Sequence, residues 1–107
     1  MVDIMGLMKK AQAVQAKMKD IQEELERLEV EGQSGGGMVK IRLSAKGQMK
    51  AIILDPALMT PADKEIAEDL IIAAHADARA KAERLTEEKM QAVAADLPLP
   101  PGMKLPF

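Results

Sequence analysis

The chain has no cysteine, one histidine and one aromatic side chain, Phe107, at the last of its 107 positions. Without cysteine no disulfide can staple the fold, which fits a reducing cytoplasm. With only Phe107 there is no platform on which single-stranded bases could stack, so any nucleic-acid ligand is expected to be duplex DNA held through its backbone. Hydroxyl nucleophiles are scarce as well: Ser34, Ser44, Thr60 and Thr86 are the only serines and threonines. A nucleophile–histidine–acid set would have to use His75, which lies among alanines in a helical stretch and reads as a packing or surface residue. Too few histidines are present for a metal site, and the carboxylates fall mostly on helix surfaces. The run Ser34-Gly35-Gly36-Gly37 lacks the Gly-Lys-Ser/Thr ending of a phosphate loop and leads into a strand, so a flexible turn is expected there. No enzyme, metal or cofactor is expected. No apolar run approaches the ~20 residues that cross a bilayer, and Lys9 and Lys10 interrupt the N-terminal one. A soluble cytoplasmic protein follows from this reading.

What is present is a heptad seam. Ile4, Leu7, Ala11, Val14, Met18, Ile21, Leu25 and Leu28 recur at alternating spacings of three and four, the pattern of a coiled-coil helix. The seam leaves open whether the partner helix is in the same protomer or in a second one. Charge along this helix is sorted. Lys9, Lys10, Lys17 and Lys19 face only Asp3, whereas Asp20, Glu23, Glu24, Glu26, Glu29 and Glu31 face only Arg27. A helix of roughly 26 residues spans about 39 Å, so its basic and acidic ends act as separate electrostatic objects. The formal net charge of −2 conceals a second basic block, Lys40, Arg42, Lys46 and Lys50, with no acid between residues 38 and 50. These blocks permit a DNA-facing surface on a chain that is acidic as a whole.

The length indicates one small domain, here residues 1–96, that gains much of its core by dimerising. Val39, Ile41 and Leu43 alternate with Lys40, Arg42 and Ser44, a strand buried on one face. Lys46-Gly47 supplies a hairpin turn, Met49–Leu54 the next strand, and Val30–Ser34 a short strand before the glycines. Asp55-Pro56 stops the sheet. A second long helix is expected from Thr60, with Thr60 as N-cap, Pro61 in the first helical position and Asp63 as the capping-box acid. Ile66, Leu70, Ile71, Ala74, Ala78 and Leu85 form its apolar face. Asp77/Lys81, Arg79/Glu83 and Arg84/Glu88 stand at i, i+4. Pro98, Pro100, Pro101 and Pro106 make residues 97–107 an extended tail carrying Leu97, Leu99, Met103, Leu105 and Phe107.

Several segments in this order resemble the YbaB/EbfC family of bacterial nucleoid-associated proteins. They are Gly6-Leu7-Met8-Lys9-Lys10-Ala11-Gln12, Leu28-Glu29-Val30-Glu31-Gly32, Met38-Val39-Lys40-Ile41, Asp55-Pro56, Glu68-Asp69-Leu70 and Pro100-Pro101-Gly102-Met103-Lys104-Leu105-Pro106-Phe107. The resemblance implies an α+β protomer of order α-β-β-β-α, with a three-stranded antiparallel sheet between two long helices. It also implies a homodimer, joined centrally, whose helices project like tweezers onto duplex DNA in the nucleoid, with effects on gene expression. Carried onto this chain, the DNA-facing candidates are Lys9, Lys10, Lys17 and Lys19 on the first helix, Lys40 and Arg42 on the sheet, and Arg79, Lys81, Arg84 and Lys89 on the last helix. The rival reading is a dimeric adaptor that binds another protein through the acidic half of helix one or the proline-rich tail.

Overall fold

The computed structural model describes residues 3–96. Helix α1 (Ile4–Arg27) is followed by strands β1 (Glu29–Ser34), β2 (Val39–Ser44) and β3 (Met49–Leu54), then by helix α2 (Lys64–Asp96). The strands form one antiparallel sheet in the order β1-β2-β3. The expected α+β order is therefore observed, and the tail expected at 97–107 lies outside the described residues.

Register follows the alternation. Val30, Gly32 and Ser34 stand opposite Leu43, Ile41 and Val39, and α2 packs on this face of β1 and β2. Val39, Ile41 and Leu43 are buried there together with Leu58, Ala67, Ala74 and Ala78. Gly32 marks the closest approach: a Cβ on it would lie 2.2 Å from the Ala78 amide nitrogen and 2.3 Å from the Ala74 carbonyl oxygen. Glycine on the strand and alanines on the helix let the two backbones meet, which explains why α2 is so rich in alanine where it crosses the sheet. The same crossing is stitched by the Ser34 hydroxyl, which donates to the Leu70 carbonyl.

Three local expectations are refined. The glycine run is a tight turn with left-handed backbone at Gly35–Gly37 and not merely a flexible link: all three residues have positive φ, the Met38 amide donates to the Gly35 carbonyl, and a side chain on Gly35 would crowd Leu70. The α2 start is preceded by another 3-10 turn, Pro61–Asp63, and the α-helix proper begins at Lys64. Thr60 does not cap the backbone there; its hydroxyl donates to the Asp63 carboxylate at 2.8 Å. Leu70, Ile71, Ala74, Ala78 and Leu85 of the expected face do pack inward, but Ile66 is exposed and Ala67, one residue on, takes the inward position in the cluster with Leu58. Asp55 behaves as expected, accepting from the Ala57 amide at 2.9 Å as Pro56 ends the sheet.

Helix α1 is not part of this core. Among the described residues only its C-terminal half docks: Leu25 is buried with Ala45 and Met90, and Ile21, Leu28 and Leu85 pack around them. The N-terminal half leaves the body, with Ile4 70% and Leu7 53% exposed. The molecule measures 73 × 22 × 16 Å with a radius of gyration of 19.9 Å, against about 13 Å for a compact chain of this size.

Candidate nucleic-acid interface

The four lysines of α1 all lie on its exposed surface, and none forms an ion pair with another described residue. They do not share one face. At about 100° per residue, Lys10 and Lys17 stand seven apart on one flank of the apolar stripe. Lys19 lies on the other flank and Lys9 lies behind. The arm therefore carries cations around most of its circumference, and none of them closes an ion pair among the described residues.

The acidic end of α1 is treated differently by the fold. Glu24 meets Lys89 of α2 at 2.8 Å, and Glu26 meets Lys46 of the β2–β3 turn at 3.2 Å. Both pairs are partly exposed, so they orient the docked half more than they stabilise it. The consequence for charge is larger. Lys46 and Lys89 are held against carboxylates, while Lys9, Lys10, Lys17 and Lys19 are left to solvent.

On α2 the candidates separate into engaged and free cations. Arg79 pairs with Glu83 at 3.3 Å and Lys81 with Asp77 at 3.1 Å, as their i, i+4 spacing predicts, whereas Arg84 and Glu88 do not meet. Lys81 also donates to the Glu31 carbonyl at 2.9 Å, and the Gln33 amide donates to Asp77 at 3.0 Å. That amide bond, with the Lys81 ammonium beside it, holds the Asp77 carboxyl below its usual range. Asp77 and Lys81 thus satisfy backbone groups on the outer edge of β1. Of the four α2 candidates only Arg84 has no carboxylate within ion-pair distance among the described residues.

Lys40 and Arg42 point to the sheet face away from α2, which no described element covers. Glu31 lies directly opposite Arg42 on β1 without closing an ion pair. Beside them a bulge places Arg42 opposite Ala51 and Leu43 opposite Met49, so Lys50 is the extra residue of β3 and is exposed. Lys50 belongs to the basic block visible in the sequence, but the bulge that makes it an extra residue is not legible there, since a register break leaves no mark in an alternating pattern. Lys17 and Lys89 line the cleft where α1 and α2 part, with Asp20 and Glu24 between them. The ten candidates therefore do not converge on one patch. They comprise an unpaired group on the arm, a sheet pair, and α2 residues that are mostly engaged.

His75 is half-buried and lines a small cavity with Leu43, Ala45, Lys46, Gly47, Arg79, Ala82 and Glu83. No helix among the described residues is long and apolar enough to cross a membrane.

Residues 1–97 match the model of the YbaB/EbfC DNA-binding family. A nucleoid-associated protein of Methylocella silvestris is 64% identical over 107 residues, covering all of both chains. A nucleoid-associated protein of Rhizobium meliloti is 54% identical over the same span, again covering all of both. In three dimensions the chain is similar to the crystal structure of an uncharacterized protein from Helicobacter pylori. The TM-score is 0.69 at 21% identity, with 90% of this chain and 97% of that one covered, a likeness of fold.

Proposed function

The chain belongs to the YbaB/EbfC DNA-binding family, and from that premise we propose that it works as a homodimer in the nucleoid, holding duplex DNA by its phosphates. Lysines of the α1 arm make the contacts, and nucleoid organisation with effects on gene expression is the consequence. The observation that carries this reading is the sorting of ion pairs. Among the described residues the fold engages Lys46, Lys81, Lys89 and Arg79 with carboxylates and leaves all four α1 lysines, Lys9, Lys10, Lys17 and Lys19, unpaired, with Lys40, Arg42 and Arg84 as the unpaired candidates on the body. Free ammonium groups on a rod can each displace a condensed counterion. With Phe107 as the one aromatic side chain, and with no convergent base-reading set among the candidates, contacts of this kind position a duplex without reading its sequence.

Dimerisation is supported by the sheet edges. The β1 edge is blocked by Asp77 and Lys81. Among the described residues β3 pairs only with β2, and its Met49, Ile52 and Ile53 are exposed, so this edge suits a second copy. The adaptor reading gains less support, because Glu24 and Glu26 on the acidic half of α1 are already taken by Lys89 and Lys46.

Fluorescence anisotropy of a labelled random duplex, titrated across a salt series, tests the proposal. Affinity should fall steeply with salt, each engaged lysine contributing ~0.9 to the log–log slope. The Lys9→Ala, Lys10→Ala, Lys17→Ala triple variant should bind all duplexes more weakly with a shallower slope, at unchanged helicity and oligomeric state. Unchanged affinity in that variant removes the arm from the interface.

A further inference from the structure

The α1 arm carries an apolar stripe that is half-buried at Val14 and Met18 and exposed from Ala11 to Ile4. Ile4, Leu7, Met8, Ala11, Val14 and Met18 fall on one side of the helix, and the first four project beyond the body. We propose that residues 97–107 of the same chain dock along this stripe, from Met18 toward Ile4.

Topology supplies the first argument. The two helices run antiparallel where they touch, with Glu24 beside Lys89 and with Ile21 and Val93 in one cleft. Continuing that register at equal rise, Asp96, the last residue of α2, comes level with Met18 of α1. The chain that follows thus starts at the foot of the stripe. Met18 to Ile4 is about 21 Å along the helix axis, and eleven residues in an extended proline-rich conformation span about 34 Å. The segment is long enough to cover the stripe and is attached beside it, which raises its local concentration far above that of any free partner.

Composition supplies the second argument. Leu97, Leu99, Met103, Leu105 and Phe107 provide apolar surface, and Pro98, Pro100, Pro101 and Pro106 restrict the backbone, so less entropy is lost on docking. Charge separates the tail from the other natural occupant, the arm of a second copy. A second arm would bring Lys9, Lys10, Lys17 and Lys19 against the same four lysines, whereas the tail brings Lys104 alone. Docking along the stripe leaves Lys9 behind the helix and Lys10, Lys17 and Lys19 on its flanks, all open to solvent.

The absence of cysteine makes the test direct, using the full chain. In a Leu7→Cys, Leu105→Cys variant, mild oxidation should close a disulfide within one chain. It should do so at least ~10-fold faster than in Lys9→Cys, Leu105→Cys, where the first cysteine lies on the back of the arm. Leu7 is already exposed, so neither change threatens the fold. Equal rates in the two variants would mean an undocked tail and overturn the proposal. A disulfide-linked dimer from Leu7→Cys alone, in place of the intrachain product, would hand the stripe to a second copy and also overturn it. As an independent readout, Leu99→Ser with Leu105→Ser should raise amide exchange over residues 4–18 several-fold. No change there would count against docking.

Discussion

The two halves of this molecule are built on opposite terms. In the body, α2 meets the sheet through Gly32, Ala74 and Ala78, so close that a single methyl group has no room. In the arm, Ile4, Leu7 and Met8 are exposed, and among the described residues the attachment is the joint around Leu25. The body is specified by shape and the arm by charge. The body is therefore expected to tolerate few substitutions and to determine stability, while the exposed part of the arm is expected to tolerate many.

The sharpest way to break this contrast is at Gly32. Gly32→Ala forces a Cβ into helix backbone and should cost about 3 kcal/mol or more, read as a drop in the denaturant midpoint. A neutral result would mean that α2 can slide away from β1. Leu25→Ala acts at the joint, where a 2% exposed leucine seals α1 against Met90 and Ala45. A loss of about 2–4 kcal/mol is expected, with amide exchange rising through all of α1 but not in β2. Equal exchange in β2 would merge arm and body into one cooperative unit. The smallest effect belongs to Asp77, which the Gln33 amide and Lys81 hold in its charged form. Its carboxyl titrates lower in the folded chain than in the unfolded one, so its contribution is present above the unfolded pKa and is lost as pH falls through the folded value. Asp77→Asn should accordingly lower Tm slightly at neutral pH, and wild type and variant should converge in acid. A pH-independent difference would assign Asp77 a role in shape and not in charge.

Much of the body could be read from the residues. Val39, Ile41 and Leu43 announce a half-buried strand by their alternation, and Asp55-Pro56 its end, because both signals are local. The heptad seam was equally visible but said less than it promised. Spacing shows that Ile4 and Leu25 share a helix face, yet only the body's limited length along that face decides that Leu25 is buried and Ile4 is not. Gly32 could not be read at all: a glycine before a glycine run looks like part of the turn, and its purpose depends on residues 74 and 78 far along the chain. Among the candidate contacts, Lys9 and Lys89 are indistinguishable in sequence. The structure separates them because Glu24, sixty-odd positions from Lys89, comes within 2.8 Å of it.

A helix fastened at one end is a lever. From the joint at Ile21 to its tip at Ile4, α1 extends about 26 Å, so a tilt of ten degrees at the joint sweeps the tip through about 4–5 Å. That exceeds the ~3.4 Å step between successive base pairs. If the arm grips duplex DNA as proposed, an element with that much play would find a phosphate wherever one lies along the duplex and would not hold register with a chosen base. Slack at one joint would thus make the arm indifferent to sequence by mechanics, before any question of hydrogen-bond matching arises.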